Sequence, residues 1–488
     1  MGLQIALSTA RNALLATSSQ IAVASRNVAG ANDAGYARKI ATLVTGNGNA
    51  QVIITRAGDQ ALFTRKLGAT SDEAASAARL DGLKTLAQTV GDTADATSPA
   101  ARLGALSAAL QAAANQPDSS DLARSAVNAA RDLAGSLNDA AAAVQSVRAD
   151  ADSAIKASVA TINGLLQQFD ATNYAVVRGT ANGTDITDSL DDRDRILTQL
   201  SAELGITTVT RPDGGMAIYT DGGAALYERG ARTVRFDPNA PPPGNAVTVD
   251  GVAVTGAGAA MPLKSGRIAG LADLRDGAAV AYGAQLDAMA SALVGAFSET
   301  YTVADPPPAT TVSTVRAAGL FTGTDAAAVP ADGAVVAGLA GTIRVAARVD
   351  PQQGGDVSRL RDGGIYDART VVGTGQAAYA GRLNALVTSL GAARTVGTGT
   401  DLAGSATLAG FAAASAGWLS QARKDATAAA EYQSTLLSRA TDALSNVAGV
   451  NGDDETALTL QLERSYTASA KILTVVDDLL KTLMDAVR

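Results

Sequence analysis

The chain has no cysteine and no histidine in 488 residues. Their absence removes the commonest general base, the commonest metal ligands and every thiol nucleophile. A Ser-His-Asp triad is impossible, and no disulfide can form, so thiols say nothing about redox compartment. Carboxylates, lysine, serine and tyrosine remain, which disfavours catalysis without forbidding it. Aromatic residues are also scarce, with 6 Phe, 1 Trp and 10 Tyr. Alanine runs such as AAAAV at 140–144 stand in their place. Small side chains let helices approach closely, which predicts long, thin helical packing more than a bulky central core. Basic residues are outnumbered, giving a net charge of -8 and a pI near 4.8; nucleic acid is not an expected partner. No apolar run approaches the roughly 18 residues needed to span a bilayer, and no membrane partner is expected. The opening MGLQIALSTARNALLATSSQ lacks a basic leader and an unbroken apolar stretch, so it does not read as a cleavable signal peptide. Ala6 stands where a myristoylation signal wants Ser or Thr.

The two ends carry the strongest pattern. Leu3, Leu7, Ala10, Leu14, Thr17, Ile21, Ala24 and Val28 follow four-three spacing, and seven of the eight are apolar. Chance at this composition would give about four, so the stretch reads as a heptad seam. Leu458, Leu462, Ser465, Ser469, Ile472, Val476, Leu479, Leu483 and Ala486 repeat the pattern at the other end. Asn451, Asp453, Asp454 and Glu455 precede it and suit a helix start. At about 1.5 Å per residue the two helices would be roughly 39 and 42 Å long. Chain ends usually fray, whereas these are among the most regular segments. Either both pack on their own globular body, or they pair with each other and with neighbouring subunits; heptads at both extremes favour the second reading.

Between the ends, residues 38–56 predict two short strands around the turn GNGN. Helical periodicity resumes near Gln60 and runs to about Phe169, with breaks near 91–98 and 116–120 and a long amphipathic helix from Leu122. A polar loop, RGTANGTDITD, leads to a helix that Asp188 or Ser189 could cap, with Ile196, Leu200 and Leu204 on one face. Strand-rich sequence with a turn at Asp213-Gly214 follows. Residues 310–370 alternate β-prone pieces with glycine and proline, and two long helices are expected near 374–394 and 402–446. The predicted fold is mainly α with a β-rich insertion. The expected divisions are 1–60 with 447–488 as a terminal coiled-coil domain, 61–205 with 371–446 as a helical bundle, and 206–370 as a small β-rich outer region holding one helix at about 266–301.

Asp191, Asp192 and Asp194 alternate with Arg193 and Arg195 at a helix start, so they read as a solvated, dipole-matched first turn and not as an acid pair or cation site. Asp453, Asp454 and Glu455 read the same way. Neither cluster has a calcium-loop pattern. The glycine pairs complete no phosphate-binding motif and read as turns. No catalytic residue, metal site or cofactor is expected.

The segment NVAGANDAGYAR, residues 27–38, resembles the signature that follows the first helix in flagellar rod, hook and hook-associated proteins. Asn27, Gly35, Tyr36 and Arg38 fit it, while Gly30 stands where a second Asn is usual and Asp33 where Thr is usual. SLDDRDRILTQLSAELG with its hairpin, and the ending from GVNGDDE onward, narrow the resemblance to the FlgK family of hook-associated proteins. That resemblance implies terminal helices paired as a coiled coil, a helical middle domain and a β-rich outer domain. It also implies a ring of subunits joining hook to filament. The implied partners are further copies, the hook protein, the second junction protein, an export chaperone and the flagellar type III secretion apparatus. The implied location is the extracellular flagellum. The alternative is another axial protein: the second junction protein, the hook subunit or a flagellin. The expected assembly interface comprises Leu3, Leu7, Leu14, Ile21, Val28, Asn27, Gly35, Tyr36 and Arg38 at one end. At the other it comprises Leu458, Leu462, Ile472, Val476, Leu479 and Leu483.

Overall fold

The structure is a computed structural model. It describes residues 2–486 except 47–48, 91–94, 240–244, 305–311, 325–327, 373–375, 396–399 and 403–404. The chain opens with helix α1 (Gly2–Gly30) and a hairpin of β1 (Lys39–Gly46) and β2 (Asn49–Arg56). Helices α2 (Gln60–Val90), α3 (Pro99–Asn115), α4 (Ser120–Asn182) and α5 (Thr187–Glu203) follow. Next come β3 (Ile206–Thr210), β4 (Met216–Thr220) and β5 (Ala225–Tyr227), then β6 (Val234–Arg235), β7 (Thr248–Val249) and β8 (Val252–Ala253). Helix α6 (Arg267–Asp273) passes through one π turn into α7 (Ala279–Ala296). Short elements succeed it: β9 (Glu299–Ala304), β10 (Val312–Ala317), β11 (Phe321–Thr322), β12 (Arg344–Val345), α8 (Arg359–Asp362), α9 (Gly381–Gly391), β13 (Arg394–Thr395) and β14 (Ser405–Ala406). Two long helices close the described chain, α10 (Leu408–Ala448) and α11 (Gly452–Ala486).

The fold is mainly helical with small antiparallel sheets of two or three strands. It forms two compact units, one of Met1–Ser76, Lys156–Ala269 and Glu431–Arg488, the other of Ala77–Ile155 and Gly270–Ala430. These boundaries cut across the expected three-part division: residues 206–269 fall with the terminal helices and 270–370 with the bundle.

In the first unit, the end of α4 holds both three-stranded sheets, β3-β4-β5 and β6-β7-β8, on side-chain amides. Asn173 accepts from the Met216 amide at 3.0 Å, and Asn163 both donates to the Val234 carbonyl and accepts from its amide. Phe169 meets Tyr227 edge-to-face at 4.9 Å. Ile196, Leu200 and Leu204 are buried as their spacing requires. The Asp213-Gly214 turn forms with Gly214 at φ +80, where lack of a Cβ is needed.

The second unit has one continuous apolar core. Leu83, Leu106, Leu133, Leu137, Leu293 and Leu360 are completely buried, and alanines such as Ala126, Ala130 and Ala279 fill the spaces between. Its irregular part is organised by one carboxylate. Glu299, at the start of β9, is 2% exposed and accepts from the Ile365 and Tyr366 amides, the Thr370 hydroxyl at 2.6 Å and Arg382 at 2.7 Å. Four donors satisfy a buried charge that would otherwise be prohibitive.

Several expected boundaries move. Helix α4 continues to Asn182, so residues 178–182 of the expected loop are its last turn and only 183–186 remain as loop before α5. The helix expected to reach Tyr301 stops at Ala296, and Tyr301 lies in β9. The helix expected over 374–394 is only α9, and 373–375 lie outside the described residues. Neither Asp188 nor Ser189 caps helix α5: Ile186 stands at its N-cap without a side-chain cap, and the preceding Asp185 accepts from the Thr187 amide and hydroxyl. The expected GNGN turn lies partly outside the described residues.

Candidate assembly interface

Helices α1 and α11 pack against each other along their lengths. They run antiparallel: Arg38, just beyond α1, donates its amide to the Ala448 carbonyl at 2.7 Å and sets its guanidinium 3.8 Å from Glu455 at the start of α11. Asn451 caps α11, accepting from the Asp453 amide at 3.1 Å. On α1 the buried positions are Ala10, Ala16, Thr17, Val23, Ala24 and Asn27. These are mostly small, so the two backbones come close. Leu7, Leu14 and Ile21 are half-buried at the margins of the seam, and Val28 is 44% exposed.

On α11 the stripe expected from the sequence splits. The inner face carries Glu455, Thr459, Leu462, Ser469, Leu473, Val476 and Leu480, all buried or half-buried. It keeps heptad spacing and shares Leu462, Ser469 and Val476 with the expected stripe. Leu458, Ile472 and Leu479 instead face outward, 43%, 54% and 53% exposed, beside Leu460 and Val475. The helix is apolar over more than one stripe, and periodicity alone does not say which flank meets α1. The side chains of Leu3 and Leu483 lie outside the described residues.

The turn after α1 is stapled from within. Asn27 is 1% exposed; its Nδ2 donates to the Lys39 carbonyl at 2.8 Å, and its Oδ1 accepts from the Lys39 amide and the Tyr36 hydroxyl, both at 2.9 Å. Lys39 Nζ sits 3.8 Å over the Tyr36 ring. Gly30 completes the staple, because a Cβ there would stand 2.6 Å from Tyr36 Cγ. The ring occupies that space, which accounts for glycine where a larger residue was expected. Gly35 donates its amide to Asp33 at 2.8 Å and lies beside Arg195.

Beneath the hairpin the acidic helix start is not the solvated turn expected of it. Asp191 is 3% exposed and accepts from Lys39 at 3.0 Å and Arg56 at 3.1 Å. Arg56 also reaches Asp194 at 2.7 Å, and Lys39 reaches Asp188 at 2.6 Å. Only Asp188 and Asp192 remain largely in water. The hairpin brings two cations from its base, so the carboxylates of α5 bind them and leave solvent together. Burial acts to lower the Lys39 ammonium, but the hydrogen bonds it donates to Asp188 and Asp191 more than reverse it and hold the pKa above an ordinary lysine's. Burial holds Asp194 above the usual carboxylate range despite Arg56, and burial likewise raises the Tyr36 phenol. Glu455 departs from expectation in the same way, being 5% exposed. Lys39 and Arg56 were not singled out from the sequence; the available signal was that they are the only charges bounding an uncharged run, 40–55.

The sequence profile of the flagellar hook-associated protein FlgK helical domain matches residues 83–302, and that of the flagellar basal body rod FlgEFG protein C-terminal segment matches residues 444–486. The matches make the chain similar to FlgK-type hook-associated proteins over 83–302 and to flagellar rod proteins at its C-terminal helix. It is similar in fold to the solved flagellar hook junction protein FlgK from Burkholderia pseudomallei, with a TM-score of 0.56 and 14% identity. The likeness covers 79% of this chain and 100% of that one. No curated protein matches the chain in sequence. The helical-domain match and the likeness in fold support a structural role at the flagellar hook–filament junction. Among the described residues no helix is long and apolar enough to cross a membrane, and no three potential metal-binding side chains cluster.

Proposed function

We propose that the protein acts by forming a ring through its terminal helices, with the hook protein on one side and the second junction protein on the other. The carrying observation is the outward stripe of α11, where Leu458, Ile472 and Leu479 are exposed although the inner seam with α1 is complete. Apolar side chains repeated at heptad spacing on the free side of a paired helix suit a further helix. Burying the exposed halves of Leu458, Leu460, Ile472, Val475 and Leu479 would contribute about 1 kcal/mol each, roughly 5 kcal/mol per contact. The expected interface residues Asn27, Tyr36 and Arg38 serve it indirectly, by fixing the hairpin and the α1–α11 pair, while Gly35 permits the turn.

The role is structural and not enzymatic. The chain reaches the extracellular flagellum through the type III secretion apparatus, escorted by a chaperone, and its ends complete their burial only on joining the ring. The test is to replace the gene with an Ile472→Lys/Leu479→Lys variant and image the cells. Hooks without filaments, with flagellin lost to the medium, are expected. Normal filaments from cells whose only copy is the variant would refute the role of this stripe.

A further inference from the structure

The β1–β2 hairpin leaves one strand edge open. In its register Lys39 pairs with Arg56, Ala41 with Ile54 and Leu43 with Val52. Both main-chain groups of Lys39 point away from β2, because Asn27 takes its amide and its carbonyl. The phase of an antiparallel ladder then makes alternate pairs face outward on both strands. On β1 that edge is closed by α1: Asn27 covers Lys39, and Gln20 donates to the Ala41 carbonyl at 3.3 Å. On β2 the corresponding groups belong to Val52 and Ile54, and among the described residues they meet no partner.

Nothing guards this edge. Natural edge strands carry charges, prolines or bulges that prevent pairing, yet residues 40–55 contain no charge and no proline. The pairing with β1 is unbroken from Lys39–Arg56 to Gly46–Asn49. The two charges at its base, Lys39 and Arg56, are consumed by Asp191 and Asp194. The outward face is apolar as well, with Ile40 at 38%, Val44 at 45% and Ile53 at 46% exposure.

We infer that the open edge of β2 pairs with the β2 edge of a second copy, giving a four-stranded sheet across a twofold axis. A second copy fits because the surface is uncharged and self-complementary: identical neutral strands offer matching donors and acceptors without repulsion. With the axis at Ile53, Val52 of each copy exchanges both main-chain hydrogen bonds with Ile54 of the other. The two Ile53 side chains then lie opposite each other on the apolar face. Because the β1 edge is closed by Asn27 and Gln20, pairing stops at two copies. The contact is small and holds unassembled subunits in a weak, reversible dimer. It does not depend on the ring proposed above, whose contacts lie on the terminal helices.

The native absence of cysteine makes the test direct. Purified full-length Ile53→Cys, mildly oxidised at high concentration, is expected to give a covalent dimer and nothing larger. Thr42→Cys lies on the same face but one strand further from the axis, so its copies stand three strand spacings apart, roughly 14 Å, beyond disulfide reach. It should stay monomeric. Hydrogen exchange at Val52 and Ile54 should slow with rising concentration, and Ile53→Lys should weaken dimerisation at least tenfold. A ladder beyond dimer, cross-linking by Thr42→Cys as efficient as by Ile53→Cys, or concentration-independent exchange at Val52 and Ile54 would each overturn the inference. None of these results bears on the phenotype of the α11 variant, so the two proposals fail separately.

Discussion

Replacing Lys39 by methionine keeps most of its volume and removes its charge, and the structure sets the size of the effect. The side chain is 1% exposed, with Asp191 at 3.0 Å, Asp188 at 2.6 Å and the Tyr36 ring at 3.8 Å. Asp188 is 71% exposed, so its part is screened and small. Asp191 is buried and would keep only Arg56, which it shares with Asp194. Breaking a buried pair from one side costs about 3–5 kcal/mol. Taking about 3 kcal/mol, because Arg56 stays, exchange of the β1–β2 amides should quicken by roughly 100-fold. Adding Asp191→Leu should recover part of the loss, since it removes the stranded charge, giving a coupling of about 2 kcal/mol in a double-mutant cycle. Amide exchange read by mass spectrometry on peptides covering 39–56 is the assay. Unchanged exchange in Lys39→Met, or strict additivity in the double variant, would refute the claim that this ion pair holds the hairpin down.

Glu299→Ala should destabilise the second unit by about 3 kcal/mol or more, because it strands Arg382 and frees two amides; loss of protection confined to residues near 365–370 and 382 would confirm it by exchange. Gly30→Ala should cost about 1–3 kcal/mol by pushing against the Tyr36 ring, and Tyr36→Ala on top of it should be less damaging than on the native chain, as thermal unfolding of both would reveal. The pH dependence has two signs. Lys39 is held above its ordinary 10.5, so its contribution is complete below that pH and is lost as pH rises through the folded value; hairpin exchange should quicken there, and much less in Lys39→Met. Asp185 and Asp350 are held below the ordinary 3.8: burial raises each, but hydrogen bonds to Thr187 and Arg26, and to Arg131, Gln353 and the Gln352 amide, more than reverse it. Their contributions are complete above 3.8 and vanish as pH falls through the folded values, so acid unfolding followed by circular dichroism should begin at lower pH in the native chain than in Arg131→Met.

The long elements were readable because a single periodicity governs many residues. Helix α2 starts at Gln60 and the hairpin occupies 39–56, as their patterns require. Helix α4 overran its expected end because Gly179 and Thr180, poor helix formers individually, follow 59 residues already nucleated. The inner face of α11 was not readable. Thr459 and Ser469 lie against α1 while Leu458 and Ile472 do not, because the small residues of α1 set the approach, and one helix's sequence cannot state its partner's shape. Asp191 illustrates the same limit: adjacent arginines and a helix dipole suggested a solvated turn, and only the arrival of Lys39 from 152 positions away makes it a buried one. The family signature around Asn27 and Tyr36 was visible as a pattern, but its work as an internal staple needed coordinates.

A hairpin whose only two cations are turned inward has nothing on its outer surface for dissolved ions to screen. Contacts between exposed charges fade once the separation exceeds about 8–10 Å of Debye length at physiological salt, and tighten again on dilution. Contacts made through Ile40, Val44 and Ile53 would do neither. Whatever this strand pair touches, it should hold about equally in fresh and in saline surroundings.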